Sequence, residues 1–320
     1  PPAGLEVAVV TTRDPERAQQ ARADLPGVQV VPDLDAALAL DGIDAVVLAT
    51  PTGVHAEQAL AAIARGIPVV VDKPLATDAA TAADVVRAAR RAGVLLTVFQ
   101  NRRFDPVSAT LTDLVRRGGL GEVYRAEFRW ERWRPIPKSR WRENASPADG
   151  GGILLDLGSH LIDQAITCFG PIASVWAEVH TRTTRADDDV VVVARHTGGV
   201  TSYLSTSSVS AAPGPRVRVL GSTGAFLSDG LEGEPATYAE LEDEPGYAGW
   251  LVVDGHREPV PSVGTSQVDF YRALGAALVS GDAGDLPVDP WDAVQTLAVI
   301  DAARHSAATG QVAQVETPLP

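Results

Sequence analysis

The sequence predicts an α/β protein in two parts. Residues 1–100 are expected to form a doubly wound, Rossmann-type parallel sheet, and residues 101–320 an α+β domain with a largely antiparallel open sheet. Apolar strands alternate with helices up to residue 100, whereas from about residue 120 strands follow one another directly. A chain of 320 residues is long enough to give both parts a core.

The first part alternates regularly between strand and helix. Near-continuous apolar strands separated by helices are typical of a parallel sheet covered on both faces. Asp14 and Pro15 have the residue types of an N-cap and a first helical position. The predicted strands are 5–10, 28–31, 43–50, 68–72 and 94–99, and the predicted helices are 14–25, 33–40, 54–65 and 77–92.

The second part contains a run of strands with few helices between them. Gly198-Gly199 is a hairpin signal between two of the strands. A polar loop is expected at 134–152 and an acidic surface segment at 231–249. The predicted strands are 122–132, 174–182, 189–196, 200–208 and 216–222, and the predicted helices are 153–169, 266–280 and 290–308.

Composition excludes several classes of protein. The 27 basic and 41 acidic side chains give a net charge of −14, which would repel nucleic acid and anionic membranes. No apolar stretch reaches the roughly 20 residues of a membrane-spanning helix. Cys168 is the only cysteine, so no intrachain disulfide can form, and a cytoplasmic location is expected. Its apolar surroundings favour a packing role over a nucleophilic one.

Polar residues follow four of the predicted parallel strands. They are Thr11-Thr12-Arg13, Thr50-Pro51-Thr52, Asp72-Lys73-Pro74 and Asn101-Arg102-Arg103. Ligands of open α/β sheets bind beyond the carboxyl ends of the strands, so these residues are expected to line one crevice.

Lys73 is the first candidate for chemistry in this crevice. Pro74 restricts the backbone of Lys73 to a non-helical conformation, which would hold the ammonium at the edge of the sheet. A fixed cation there can stabilise negative charge on a substrate oxygen. The spacing alone is equally compatible with a surface lysine on a turn.

A second candidate group is Gly150-Gly151-Gly152 followed by Asp156, His160 and Asp163. On a helix, Asp156 and His160 share a face, and a carboxylate beside an imidazole fixes its tautomer and raises its basicity. The alternatives are a purely structural polar pair and a metal site. The metal site lacks a cysteine and a second histidine at ligand spacing, so no metal is expected.

Three tryptophans lie among arginines and a lysine between residues 130 and 143. Trp130, Trp133 and Trp141 could form cation–π contacts at a domain junction, or the segment could be a basic lid over a phosphate.

Four motifs, in this order, resemble the glucose–fructose oxidoreductase/inositol dehydrogenase (Gfo/Idh/MocA) superfamily. They are ATPTGVH (49–55), DKP (72–74), QNRRFD (100–105) and GGGILLDLGSHLIDQ (150–164). The resemblance extends over nearly the whole chain. It is nearest to the NADP-linked scyllo-inositol dehydrogenase branch.

The resemblance implies an NAD(P)-dependent dehydrogenase or reductase that moves a hydride to or from a small polyol or sugar. Lys73 would polarise the substrate oxygen, His160 would accept the hydroxyl proton, and Asp156 would position the substrate or the imidazole. The implied substrate contacts are Lys73, Arg102, Trp141, Asp156 and His160. The implied cofactor contacts are Thr12, Arg13, Thr50, Pro51, Thr52, His55, Asp72, Lys73, Asn101 and Arg102.

The cofactor preference is predicted from one strand end. An acid there grips the ribose 2′-hydroxyl of NAD, whereas an arginine accommodates the 2′-phosphate of NADP. Thr12-Arg13 occupies this place, so NADP is favoured over NAD.

The chain departs from the family pattern in two ways. Its first strand matches the second strand of the fold, and the glycine-rich phosphate loop is not in these residues. Asp72, Thr52 and Gln100 replace the usual glutamate, asparagine and histidine.

Two other functions compete with the dehydrogenase. One is a catalytically silent sensor or co-regulator of the same fold, and the other is a metal-dependent hydrolase that uses His160. By resemblance, the chain is expected to form a homodimer or homotetramer through the sheet of the second domain.

Overall fold

The computed structural model describes residues 3–137, 141–231, 241 and 245–320. Its strands are β1 (Val9–Thr11), β2 (Gln29–Val31), β3 (Val46–Leu48), β4 (Val69–Asp72), β5 (Leu96–Phe99), β6 (Val123–Glu131), β7 (Ile172–His180), β8 (Asp189–His196), β9 (Thr201–Ser207), β10 (Val217–Gly221), β11 (Ala225–Ser228), β12 (Tyr247–Val253), β13 (His256–Pro261) and β14 (Ala313–Gln314). Its α-helices are α1 (Pro15–Asp24), α2 (Leu34–Leu38), α3 (His55–Ala64), α4 (Ala79–Ala92), α5 (Pro106–Arg116), α6 (Trp141–Asn144), α7 (Ser159–Phe169), α8 (Gln267–Ser280) and α9 (Pro290–Thr309).

The first five strands are parallel, as the alternation with helices predicts. Asp14 caps α1 with its side chain, and Pro15 is the first helical residue. The strands form two separate sheets within the described ranges, β1-β2 and β3-β4-β5, instead of one continuous sheet. The division falls between β1 and β3, which share no backbone ladder.

The second part is built on one nine-stranded sheet in the order β13-β12-β11-β10-β6-β9-β8-β7-β14. Every pair is antiparallel except β6–β9, which confirms a largely antiparallel open sheet. Gly199 adopts φ +93° in the hairpin between β8 and β9, at the predicted turn. Strands β11 to β14 and helix α5 were not predicted.

The C-terminal helices pack on the three-stranded parallel sheet. Phe270 and Leu274 of α8 form a cluster with Val70 of β4. The Thr97 hydroxyl of β5 donates to the Val288 carbonyl at 2.8 Å, just before α9. Helices from the C-terminal end of the chain therefore cover the sheet β3-β4-β5. The domain boundary at residue 100 stays a prediction.

The segment between β6 and α7 is only partly the predicted loop. It contains α6, and the predicted helix 153–169 begins with a π-helical turn, Leu154–Gly158, before α7.

Most of the predicted acidic segment lies outside the described residues. None of the helices that the structure describes is long and apolar enough to cross a membrane.

Candidate active site

Lys73 lies at the carboxyl end of β4, where the sequence places it. The Lys73–Pro74 peptide bond is cis, and the Lys73 amide donates to the carboxylate of Asp72 at 2.8 Å. The Lys73 side chain is 10% exposed, and its ammonium donates to the Asp156 carboxylate at 2.8 Å and to the Asp156 carbonyl at 2.6 Å. The structure therefore joins the end of β4 to the π-helical turn of the second part.

Asp156 is held between cations. Arg142 of α6 lies 3.6 Å from the same carboxylate oxygen that Lys73 contacts. Burial raises the pKa of Asp156, but the charges of Lys73, Arg142 and Arg132 outweigh it and hold the pKa below its ordinary value. Asp156 is therefore ionised at neutral pH and fixes the position of the Lys73 ammonium.

His160 is on the first turn of α7 and is 7% exposed. Its ring centroid lies 5.5 Å from that of Trp130 on β6. Burial, and then the charges of Lys73 and Arg102, lower the pKa of His160 well below its ordinary value. The imidazole is therefore neutral at neutral pH and has a lone pair that can accept a proton.

The predicted contact between Asp156 and His160 is wrong. The Asp156 carboxylate pairs with Lys73 and Arg142, and Nδ1 of His160 is buried without a partner among the described residues. The prediction assumed an α-helix, in which residues four apart share a face. Asp156 instead lies in a π-helical turn, whose wider i→i+5 spacing changes that alignment.

Asp163 serves a different cluster. Arg103 binds it through two hydrogen bonds of 2.8 and 2.6 Å and also contacts Asp292 of α9 at 2.7 Å. This buried network ties the turn after β5 to α7 and α9. It is structural, and Asp163 is not a partner of His160.

The three glycines allow close backbone contacts within the protein. A Cβ on Gly150 would lie 2.7 Å from Cβ of Thr52, and one on Gly152 would lie 1.9 Å from the Asp187 carboxylate. Gly150 and Gly152 have φ of +87° and +96°. Asp187 in turn accepts from the Leu154 amide at 2.7 Å, so this turn seats the π-helical segment against the strand end at Thr52.

Arginines and tryptophans form the predicted cation–π contacts. Arg102 and Arg132 lie 5.0 and 5.1 Å from the Trp130 ring, and Arg142 lies 4.8 Å from the Trp141 ring. A cavity of about 360 Å³ next to this cluster is lined by His160, Trp130 and Arg102, among others. Arg102 therefore borders space beside His160, and Trp141 packs against Arg142, which contacts Asp156.

The other strand-end residues fall into two groups. Thr50, Pro51 and Thr52 follow β3, and Asn101 follows β5 in a 3-10 turn, so they flank Lys73 along one edge of the sheet as predicted. His55 is different, because it is 1% exposed and its two ring nitrogens lie 2.8 and 2.7 Å from the carbonyls of Pro74 and Thr50. Both nitrogens face protein carbonyls, and the cofactor contact of His55 stays a prediction.

Thr12 and Arg13 lie at the carboxyl end of β1. The Arg13 guanidinium is exposed and donates to Asp33 at 2.8 Å. This hydrogen bond is the main cause that lowers the pKa of Asp33. Sequence reasoning missed this acid beside Arg13, although Asp33 was visible as the first residue of the predicted helix 33–40.

One buried acceptor at the strand ends has no partner among the described residues. Gln100, directly after β5, is 2% exposed, and its Oε1 is buried with no partner in the part of the chain that the structure describes. An unpaired buried acceptor is costly, and at a strand end it suits a bound donor group. No group of three or more metal-ligand side chains occurs among the described residues.

Comparison with known proteins places the chain in a family. A profile described as an oxidoreductase family with an NAD-binding Rossmann fold matches residues 1–100, and the GFO/IDH/MocA C-terminal domain profile matches residues 108–227. The chain belongs to the Gfo/Idh/MocA oxidoreductase family. Its members' architecture, a Rossmann-type domain followed by a large mostly antiparallel sheet, is the one described above.

Individual relatives agree with this placement. The scyllo-inositol 2-dehydrogenase (NADP(+)) IolW of Bacillus subtilis (strain 168) is 31% identical over 304 residues, which are 91% of this chain and 84% of that protein. An inositol 2-dehydrogenase of Mycolicibacterium smegmatis is 45% identical over 121 residues, or 38% of this chain and 35% of that protein. The solved structure of yvaA from Bacillus subtilis aligns with a TM-score of 0.85 and 29% identity, covering 97% of this chain and 91% of that one. The prediction of an NAD(P)-dependent oxidoreductase acting on CH–OH groups is confirmed.

Proposed function

We propose that this Gfo/Idh/MocA protein oxidises a hydroxyl-bearing carbon of a small polyol or sugar derivative, or reduces the corresponding ketone, with NADP preferred over NAD. The observation that carries the proposal is the convergence of Lys73 and His160. Lys73 reaches Asp156 across 83 residues of sequence, and its charge acts on the buried imidazole four residues further on. A nicotinamide bound at the strand ends supplies the hydride acceptor or donor.

Each residue has a distinct task in this proposal. His160 is neutral and accepts the proton of the substrate hydroxyl, so that an O–H bond breaks as an N–H bond forms. The Lys73 ammonium donates a hydrogen bond to the same oxygen and stabilises its developing negative charge. Asp156 keeps Lys73 in place, because its carboxylate accepts from the ammonium at 2.8 Å.

Variants of Lys73 and His160 test the proposal. Lys73→Met and His160→Asn should each lower kcat/KM about 100-fold or more with inositols as substrates, the usual scale for lost acid–base or electrostatic catalysis. His305→Asn is a matched control, because His305 is exposed on α9. The proposal would be contradicted if the control lost its activity, or if neither active-site variant lost activity. Absence of nicotinamide turnover in the unmodified protein would favour a sensor instead.

Arg13 supports the preference for NADP. Its guanidinium is 76% exposed at the carboxyl end of β1, where a 2′-phosphate could replace or join Asp33 as its partner. Arg13→Ala should raise the KM for NADP about fivefold, because an exposed ion pair contributes roughly 1 kcal/mol or less, and should leave the KM for NAD unchanged. An equal change in both KM values would contradict this role.

A homo-oligomer through the nine-stranded sheet is also proposed. Trp176, Val193 and Tyr203 are neighbours on β7, β8 and β9 and lie on one face. Val192 and Leu204 point to the other face and are buried. A row of partly exposed apolar side chains on an open sheet suits a second copy of the chain. Sedimentation as a monomer at micromolar concentration would contradict this.

A reducing compartment such as the cytoplasm suits the thiol of Cys168.

A further inference from the structure

Three buried polar atoms beside His160 have no protein partner among the described residues. They are Nδ1 of His160, Nε1 of Trp130 and Oγ1 of Thr206. The three residues are 7%, 6% and 2% exposed, respectively. Each atom left unpaired in the interior would cost free energy, so three together call for a shared partner.

The fold brings these residues into one layer. Trp130 of β6 and Thr206 of β9 are directly paired in parallel register, so their side chains lie on the same face of the sheet. Helix α7 packs against both strands, and the Trp130 and His160 rings are 5.5 Å apart. The three residues that carry the unpaired atoms therefore lie in one layer beside the imidazole.

The chemistry of the three atoms defines the partner. The indole N–H of Trp130 can only donate, the Thr206 hydroxyl can donate or accept, and Nδ1 of His160 can do either according to its tautomer. A buried water typically makes about three hydrogen bonds to groups that are otherwise unpaired. One water satisfies all three atoms in two ways. It accepts from Trp130 and donates to Thr206 in both, and it either accepts from Nδ1 of His160 or donates to it, so the two arrangements differ in the tautomer of His160.

We propose that Trp130 and Thr206 bind one buried water that accepts a hydrogen bond from Nδ1 of His160 and so fixes the proton on that nitrogen. The outer nitrogen, Nε2, then keeps its lone pair for the substrate proton. Trp130 and Thr206 are positioning residues, and they perform the task that sequence reasoning gave to Asp156. The effect on catalysis rests on the proposed dehydrogenase function. The tautomer of His160 does not depend on that function.

The tautomer can be measured directly, without substrate, by ¹⁵N–¹H correlation NMR of the histidine rings in the full-length protein. His160→Gln assigns the His160 signals. The unmodified protein should show His160 with its proton on Nδ1. Thr206→Val, which removes the hydroxyl at constant shape, frees a hydrogen of the water to donate to Nδ1 and should move population to the Nε2–H form. Thr206→Ala should do the same if the valine variant does not fold.

Thr296→Val is the matched control. Thr296 is 2% exposed on α9, and its Oγ1 is also buried without a partner in the described chain, but it belongs to a different element. This variant should keep the tautomer and the activity of the unmodified protein. Thr206→Val should lower kcat about tenfold with KM unchanged, the scale of one lost buried hydrogen bond.

Two results would overturn the inference. One is a proton on Nε2 in the unmodified protein, and the other is an unchanged tautomer in both Thr206→Val and Thr206→Ala, whatever their activity. An Nδ1–H tautomer that depends on Thr206, in a protein without nicotinamide turnover, would support the water site and refute the proposed function. The two failures are therefore distinguishable.

Discussion

Replacing Asp156 by asparagine removes the charge that holds Lys73 but keeps the side-chain shape. Lys73 is 10% exposed and retains the Asp156 carbonyl at 2.6 Å, so the loss is one charge-assisted hydrogen bond and not the whole site. Such a bond contributes about 1.5–3 kcal/mol. Because the Asp156 side chain is 30% exposed and the amide oxygen still accepts, we expect a loss of about 1.5 kcal/mol in the free energy of unfolding.

The pH dependence of this loss has a definite sign. The pKa of Asp156 is lower in the folded protein than its ordinary value of 3.8. The carboxylate therefore contributes its full stability above 3.8, and that contribution disappears as pH falls through the lower folded pKa. The difference between the two proteins should be constant from pH 5 to 8 and shrink only in stronger acid.

Urea denaturation at several pH values measures this difference. Asp113→Asn is the control, because Asp113 contacts Arg117 at 2.6 Å in a pair whose side chains are 43% and 65% exposed. Exposed pairs of this kind contribute about 0.3–0.5 kcal/mol. Equal losses in the two variants, or a loss for Asp156→Asn that changes between pH 5 and 8, would refute the account of a buried, ionised Asp156.

Three further predictions use other parts of the structure. Gly152→Ala should destabilise the fold by about 1–3 kcal/mol in urea, because φ is +96° and a Cβ would lie 1.9 Å from the Asp187 carboxylate; an unchanged midpoint would contradict this. The kcat/KM of the enzyme should stay level below pH 6.5, because the lowered pKa of His160 keeps it neutral there, whereas a fall centred near 6.5 would indicate an ordinary histidine. Cys168, whose pKa burial raises to about 11, should resist iodoacetamide at pH 8 until the protein is unfolded, and rapid labelling of the native protein would show that it is accessible.

Local sequence signals predicted the elements that carry the chemistry. The DKP motif placed Lys73 at the end of β4, and Asp14-Pro15 marked the start of α1. These succeeded because capping and the conformational restriction by proline depend on neighbours in sequence. Long-range pairing was less accessible: β6 pairs in parallel with β9, and nothing within either strand specifies that partner.

The site was predicted in composition but not in its internal contacts. Lys73 and Asp156 are in contact, and the Asp156 carboxylate pairs with Lys73 and Arg142 instead of the imidazole. Asp156 lies in a π-helical turn that follows Gly152, and the 3.6-residue period does not predict such a turn. The burial of His55 against two carbonyls also depends on the folded strand ends and could not be predicted from its neighbours in sequence.

The central claim is that Lys73 and His160 act on one substrate oxygen. A crystal structure of the protein with NADPH and scyllo-inositol tests it most directly. The account predicts a single inositol hydroxyl within about 2.6–3.2 Å of both Nζ of Lys73 and Nε2 of His160. An inositol whose reacting hydroxyl contacts only one of them, or neither, would contradict it.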